Sequence, residues 1–422
     1  MTAEPGRLAE LLAPRRLGWN VAVGVVGWIL PALAALAAFP LVAARLGPDR
    51  FAIIALAWGL AGWFAQCDFG IGRGLTRTVA ARHAARRDDD IPSVVWSAHV
   101  LLAAFAFVIA AALWAAAPAL VTRVLHVPHG LQDEALRSAR WMAVGVVPIV
   151  LGTASRAVLE ARQQFRLATA VRIPTMVATY LLPLLADNAS DGVAWIVGAR
   201  TANAVLLLLA MRIKWARPAA IGAVAREGGW ITLSAVISPL LAQGDRFAIA
   251  ALLPIAASGS YAAAQEVATK IAFFSVALQP VLFAAVSAAH SLDEARARAL
   301  VRQAALLTAA VVAVPTLVLA VWAQPLMGWW LKSAYNAEAA GVLPWMSVAM
   351  FANAMAQVPF AFLQAGRGDR VVALLHMAEL PVFAVALLMV VPKFGITGAA
   401  AVWGARLIVD SAGMWALARR RG

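Results

Sequence analysis

The sequence contains few charged residues, a single cysteine and no long polar stretch. Charged residues make up 13% of the chain and hydrophobic residues 63%, and the mean hydropathy is +0.80. This balance is far from that of a soluble domain. The lone cysteine, Cys67, excludes an internal disulfide. Because no segment between apolar stretches exceeds about twenty residues, we expect no folded domain outside a membrane.

The chain instead contains twelve apolar segments. Each is long enough to cross a hydrocarbon core of roughly 30 Å as a helix that rises about 1.5 Å per residue. The sequence therefore predicts an all-α polytopic membrane protein with transmembrane helices at about 20–45, 51–78, 91–120, 138–160, 166–186, 191–213, 229–253, 259–290, 301–325, 340–364, 370–391 and 395–418.

The basic residues orient these segments. If Met1 lies inside, 24 arginines and lysines fall on the inside and seven on the outside. This bias predicts that both termini are cytoplasmic. The formal net charge of +14 is then a topology signal and an attraction to anionic lipid, so nucleic acid is not an expected partner. The arginine-rich, lysine-poor usage suggests a bacterium, and hence its inner membrane.

Two stretches of the chain repeat each other. Trp141-Met142 aligns without a gap on Trp345-Met346, and Gly198-Ala199-Arg200 aligns on Gly404-Ala405-Arg406 after a two-residue adjustment. The repeat predicts an N-terminal six-helix bundle at 1–214, a cytoplasmic linker at 215–228 and a C-terminal bundle at 229–422. Six helices is an even number, so the bundles have the same orientation. Two parallel bundles around a central cavity are typical of an alternating-access carrier.

Ionisable residues inside the segments are candidates for function, since each costs at least roughly 2.5–3.5 kcal/mol in the membrane on insertion scales. A cavity lined by cations suits a phosphate or pyrophosphate, because arginine gives bidentate contacts. The candidate cations are Arg246, Lys270, Arg73, Arg77, Arg200 and Arg406. The candidate pairing or coupling carboxylates are Asp245, Glu266, Asp68 and Glu379.

Each candidate also has a structural interpretation. Arg246 and Lys270 have acidic neighbours and could form internal salt bridges, and Lys270 is four residues from Glu266 on one helical face. Arg73 and Arg77 could anchor a helix at the cytoplasmic surface. Repeat-related Arg200 and Arg406 could share a structural role.

The pair His376 and Glu379 also has both a functional and a structural interpretation. Glu379 follows His376 by three residues, which favours a hydrogen-bonded pair over proton coupling. No resident metal, cofactor or catalytic group is predicted, since the nearest metal-like motif is the isolated pair His126 and His129.

Four stretches resemble polysaccharide-type flippases of the multidrug/oligosaccharidyl-lipid/polysaccharide exporter superfamily. They are 46–77, 158–174, 228–270 and 394–410, with the closest agreement in the second, seventh and eighth segments. The resemblance implies transport of an undecaprenyl-pyrophosphate-linked oligosaccharide from the cytoplasmic to the periplasmic leaflet, with H⁺ or Na⁺ as a coupling ion. It also implies a cavity lined by the first two helices of each half. Many such proteins have fourteen helices, so the predicted twelve suggest that an accessory pair is absent.

Three other functions remain as alternatives. A multidrug or organic-cation antiporter of the same superfamily would commonly have a carboxylate in the first segment, and 20–45 has none. A lipid II-type flippase differs in cargo alone. A polytopic membrane enzyme would require a catalytic loop or an intramembrane His/Asp cluster, and the sequence indicates neither.

Overall fold

The computed structural model describes residues 14–66, 71–84, 87–219, 221–273, 275, 294–334, 336–365 and 369–420. At some helical positions it describes the backbone alone, and Arg73 and Arg77 are two of these. Within the described ranges the regular structure is helical, apart from one isolated bridge between His126 and Pro254. An all-α fold is therefore confirmed for this part of the chain.

Thirteen α-helices are labelled here in chain order within those ranges. They are α1 Pro14–Leu46, α2 Pro48–Phe64, α3 Ile71–Ala84, α4 Ile91–Ala119, α5 Gln132–Ala161, α6 Phe165–Leu181, α7 Ala189–Ala210, α8 Ile221–Leu252, α9 Ile255–Ala268, α10 Glu294–Val321, α11 Ala323–Leu331, α12 Ala337–Ala365 and α13 Asp369–Arg420. Short 3-10 or π turns extend or connect them at Asp88–Asp90, Leu120–Val124, His129–Leu131, Leu182–Leu185, Thr269–Ala272 and Lys332–Ala334.

Eight helical stretches among the described residues are long and apolar enough to cross a membrane. They are Val26–Leu46, Asp88–Val124, His129–Ala161, Phe165–Leu185, Ala189–Ala210, Ala299–Val321, Ala337–Leu363 and Val371–Arg420. The last one contains both predicted segments 370–391 and 395–418. These stretches make the chain a multi-pass membrane protein, and the count of twelve helices stays a prediction.

The predicted segment 51–78 differs most from the structure. It forms two helices, since α2 ends at Phe64 and α3 begins at Ile71. The α3 helix has 14 residues, three of them arginines. At about 1.5 Å per residue it is too short to cross the membrane by itself, and its arginines favour a polar environment. Because residues 51–64 are apolar throughout, the sequence does not indicate that the helix ends at Phe64.

Local sequence signals explain several helix ends. Gly47 has a φ of +81°, a left-handed conformation that glycine adopts without steric cost, and it directly follows α1. Pro48 then occupies the first position of α2, where its missing N–H is not needed. Before α7, the Asn188 side chain accepts a 2.9 Å hydrogen bond from the backbone N–H of Asp191 and caps the helix.

The contacts divide the chain into two compact units. Unit 1 comprises the described residues of Met1–Ala38, Ala57–Val121 and His129–Val236. Unit 2 comprises those of Phe39–Leu56, Thr122–Pro128 and Ile237–Gly422. The two six-helix halves predicted from the repeat stay a prediction.

Unit 1 is held together by close helix packing and buried hydrogen bonds. A Cβ atom at Gly145 of α5 would lie 2.9 Å from Val197 Cγ2 of α7, so only glycine permits this crossing without a shift. The indole of Trp58 donates a 2.9 Å bond to the carbonyl of Thr179. His99 of α4 contacts Ser155 of α5 through Nε2 at 3.0 Å. These contacts fix the helices that hold the arginines described below.

Unit 2 contains a helical hairpin. Gly395 interrupts α13 with φ of 60° and ψ of −147°, a conformation that is essentially restricted to glycine. The two arms return on each other, since a Cβ at Gly413 would lie 3.2 Å from Leu375 Cδ2. His376 of the first arm and Asp410 of the second are also neighbours. The turn therefore brings the carboxylates of α13 together.

Candidate functional site

A buried polar network in unit 2 surrounds Asp245 of α8. Its carboxylate accepts a 2.5 Å hydrogen bond from the Tyr261 hydroxyl and a 3.1 Å bond from the Gln265 amide, both from α9. Its other oxygen accepts a 2.9 Å hydrogen bond from the backbone N–H of Arg246. Asp245 is fully buried. Because a buried carboxylate needs such donors, the network fixes α8 against α9.

Arg246 belongs to the same network, but its side chain bonds to an amide. Its Nε donates to Oε1 of Gln265, and the residue is 5% exposed. The link between Arg246 and Asp245 is therefore a backbone hydrogen bond together with the attraction of two neighbouring charges. Gln265 bridges them by accepting from the arginine and donating to the aspartate.

Lys270 pairs with Glu266, as the four-residue spacing suggested. The two side chains form a salt bridge, and both are largely buried. The ammonium group also lies 5.5 Å from the centre of the Phe273 ring. The internal salt bridge expected for this pair is therefore present, and it balances the charge of Lys270 against a glutamate one helical turn earlier.

A second carboxylate cluster lies in the hairpin of α13. His376, Glu379 and Asp410 bring one ligand atom each to within 4.8 Å of one another. His376 Nε2 lies 3.4 Å from Asp410 Oδ1. Glu379 is 8% exposed, and neither of its oxygens has a hydrogen-bond partner among the described residues. The expected hydrogen bond between His376 and Glu379 is therefore wrong, because the hairpin turns His376 towards Asp410 instead.

Arg406 provides the positive charge next to this cluster. It interacts electrostatically with Asp410, Glu379 and Asp245. Its guanidinium lies 5.8 Å from the centre of the Phe383 ring, and its buried Nε has no hydrogen-bond partner in the described ranges. Arg406 is thus held by charge and by an aromatic face.

Arg200 of α7 lies in a group of arginines in unit 1. Arg172 of α6 interacts electrostatically with Arg200, Arg156 and Glu160. The Arg172 guanidinium lies 4.1 Å from the centre of the Trp28 ring, and Arg156 Nε forms a 3.4 Å ion pair with Glu160. The buried Nε of Arg200 has no hydrogen-bond partner within the described structure. Among the described residues, Glu160 therefore interacts with Arg156 and Arg172, while Arg200 interacts with Arg172 and not with this glutamate.

The side chains of three further candidates lie outside the part of the chain that the structure describes. Asp68 lies outside the described residues, and so do the side chains of Arg73 and Arg77, although their backbone belongs to α3. Their proposed contribution to a substrate site stays a prediction.

Sequence reasoning missed several residues of these clusters. Arg172 counted only as an inside residue of the topology, although it lies seven residues into α6. Tyr261 and Gln265 could not be recognised from the sequence, because an uncharged polar residue in an apolar helix gives a weak signal. The spacing of 16 and 20 residues from Asp245 would not have revealed them, since the contact depends on how α8 packs on α9.

The buried charge clusters described in the two units differ in the sign of their excess charge. The described cluster of unit 1 has Arg156, Arg172 and Arg200 against Glu160. That of unit 2 has Asp245, Glu379 and Asp410 against Arg246 and Arg406, and the Lys270–Glu266 pair is neutral. Excess positive charge suits an anion, whereas an excess carboxylate suits a cation or a proton.

Comparison with solved structures defines the class of protein. The fold matches an inward-facing multidrug resistance transporter of the MATE family in the MOP superfamily, with a TM-score of 0.77 and 14% identity over 93% of this chain and 94% of that one. It also matches the lipid II flippase MurJ in an inward closed conformation, with a TM-score of 0.77 and 10% identity over 93% and 87% of the two chains. The chain is thus a multi-pass membrane protein with the fold of these transporters.

The sequence identifies the family more closely. Residues 42–340 match the model of the polysaccharide biosynthesis protein family, and the chain belongs to that family. It is also 24% identical over 413 residues to a Shigella flexneri protein described as a candidate O-antigen transporter, which covers 93% of this chain and 94% of the relative. These findings confirm the resemblance to polysaccharide-type members of the superfamily.

Proposed function

We propose that the protein is a flippase that moves an undecaprenyl-pyrophosphate-linked oligosaccharide from the cytoplasmic to the periplasmic leaflet of a bacterial inner membrane. Its membership of the polysaccharide biosynthesis protein family supports this proposal. The similarity to the Shigella flexneri protein and the fold shared with the lipid II flippase MurJ support it as well. The proposal includes cytoplasmic termini and two six-helix halves, 1–214 and 229–422, that alternate in access.

The arginine cluster of unit 1 is the observation that carries this proposal. Arg172 and Arg200 place positive charge inside apolar helices, and Glu160, the one carboxylate of the cluster among the described residues, pairs with Arg156. Each guanidinium presents planar N–H donors that match the oxygens of a phosphate. A pyrophosphate would supply both the missing negative charge and hydrogen-bond acceptors, including one for the Nε of Arg200. We therefore assign Arg172 and Arg200 to the pyrophosphate, while the polyprenyl tail stays in lipid.

The excess carboxylate of the buried cluster in unit 2 supports coupling to a cation. With neutral His376, the cluster of Asp245, Glu379, Asp410, Arg246 and Arg406 has a net charge of −1. Glu379 has no hydrogen-bond donor among the described residues, so a proton or Na⁺ near it would satisfy a buried carboxylate that lacks a donor. A cation that binds one conformation more tightly than the other would bias the transport cycle. No catalytic residue is assigned, because transport breaks no covalent bond.

The deciding experiment follows a labelled undecaprenyl-pyrophosphate oligosaccharide across proteoliposome membranes. We expect wild type to translocate it and Arg172→Gln and Arg200→Gln to lower its apparent affinity about ten- to a hundredfold, as expected for lost charge-assisted hydrogen bonds. The matched control is the double variant Glu266→Gln/Lys270→Met, which removes a neutral buried pair and should transport like wild type. If folded wild type translocates no such lipid but exports an organic cation, the proposal fails in favour of an antiporter.

A further inference from the structure

Unit 2 contains an apolar groove that plays no part in the proposed transport site. It lies where α10, α12 and the C-terminal end of α13 meet, and its volume is about 400 Å³. Beneath it is a buried core that includes Val301, Phe362 and Ala418. The groove is therefore built on well-packed residues and not on a loop.

The walls of the groove are apolar along most of its length. Ala305, Leu306 and Ala309 of α10 form one side, and Met355 of α12 and Trp415 of α13 contribute to the rest. Leu306 is 65% exposed although it is a large apolar residue. A groove of small and apolar side chains next to an exposed leucine suits a hydrocarbon chain in the membrane.

One end of the groove contains two arginines, since their chain neighbours Val301 and Ala418 pack in the same buried core. Arg302 of α10 and Arg419 of α13 both line it and both are exposed, whereas no aspartate or glutamate is among its described lining residues. Arg302 precedes Ala309 by seven residues, which is about 10 Å along the helix. The groove therefore has a cationic end and an apolar end at a separation that suits a lipid headgroup and the first part of its acyl chain.

We propose that this groove binds one anionic phospholipid. Arg302 and Arg419 hold its phosphate, and one acyl chain lies between α10 and α12 past Ala305 and Ala309. The charge complementarity favours an anionic lipid over a zwitterionic one, because no described carboxylate of the groove balances the two arginines. The positive-inside topology predicts that this end faces the cytoplasmic leaflet. A lipid that contacts three helices at once would stabilise unit 2.

Native mass spectrometry of the full chain, released from phosphatidylcholine nanodiscs that contain a small fraction of phosphatidylglycerol, tests this site. We expect one retained phosphatidylglycerol in wild type and about thirtyfold weaker retention in Arg302→Gln/Arg419→Gln, since each cation near an anionic lipid contributes a similar increment. The control Arg166→Gln/Arg217→Gln removes two exposed cations that do not line the groove and should bind like wild type. Ala309→Trp fills the apolar end and should also prevent retention, with its fold monitored by thermal unfolding.

Three results would overturn the proposal. One is equal retention of phosphatidylglycerol by wild type and the double groove variant. Another is no preference of wild type for phosphatidylglycerol over phosphatidylcholine. The third is displacement of phosphatidylglycerol by undecaprenyl phosphate at a lower concentration than by phosphatidylglycerol itself, which would make the groove a cargo-tail site. Each result is independent of the transport assay, so failure of the flippase proposal would leave this test intact.

Discussion

The Tyr261 hydroxyl donates a 2.5 Å hydrogen bond to Oδ2 of Asp245, and both residues are completely buried. Asp245 lies in α8 and Tyr261 in α9, so this bond connects two helices across apolar surroundings. Gln265 donates to the same oxygen. The Asp245 carboxylate thus connects α8 to α9 by hydrogen bonds. It is also one of the charged groups of the buried cluster in unit 2.

Replacement of Tyr261 by phenylalanine should destabilise the protein. The ring is retained but the buried Asp245 loses a donor, so we expect the free energy of unfolding to fall by about 1–3 kcal/mol. Chemical denaturation in detergent would measure it. In an Asp245→Asn background the same change should have a much smaller effect, because the charged acceptor is absent. Equal losses in both backgrounds would show that the hydrogen bond contributes nothing specific.

Gly395 of the hairpin should tolerate alanine poorly because of its backbone conformation. Its φ of 60° and ψ of −147° are strained for any residue with a Cβ, so Gly395→Ala should lower the free energy of unfolding by about 1–3 kcal/mol. The matched control is Gly341→Ala in α12, where nothing lies within 4 Å of an added Cβ and alanine favours the helix. We expect the control to be neutral or stabilising, and a neutral Gly395→Ala would contradict the prediction.

Apolar length and composition predicted the helical membrane fold well. Seven of the eight membrane-crossing stretches in the described ranges correspond to single predicted segments, because a run of about twenty apolar residues has few alternatives to a helix in lipid. The eighth stretch combines two predicted segments across Gly395. The sequence does not show the break between α2 and α3, because the residues around it are mostly apolar or glycine and the arginines begin only within α3.

The candidate sites were predictable only where the partners share a helix. The Glu266–Lys270 pair follows from the four-residue spacing alone. Partners on different helices depend on packing that the sequence does not reveal, as with Arg172 beside Arg200 or Tyr261 on Asp245. A three-residue spacing was even misleading at His376, because the second arm of α13 offers it Asp410 instead.

The salt bridge between Lys270 and Glu266 should matter for stability more than for transport. Lys270→Met leaves a largely buried glutamate without its partner, and we expect a loss of about 3–5 kcal/mol in the free energy of unfolding. Adding Glu266→Gln should restore most of that loss, because no unpaired charge remains. Thermal unfolding of the three variants in one detergent would measure the effect. If the double variant is as unstable as Lys270→Met, the loss has a cause other than the unpaired carboxylate.

Glu379→Gln should separate stability from coupling. The change removes a buried charge that has no hydrogen-bond partner among the described residues, so we expect the free energy of unfolding to stay the same or rise. The same change removes the excess carboxylate of the buried cluster in unit 2, so transport should lose its response to an imposed H⁺ or Na⁺ gradient.

Proteoliposomes with either gradient, with and without the variant, would measure this response. A matched variant is Glu160→Gln, which changes a half-buried carboxylate of unit 1 and should leave the gradient response in place. Stimulation of Glu379→Gln by the same gradient that drives wild type would exclude Glu379 as the coupling group. A gradient response that survives Glu379→Gln but not Asp410→Asn would assign the cation to Asp410, the carboxylate of the cluster that faces His376.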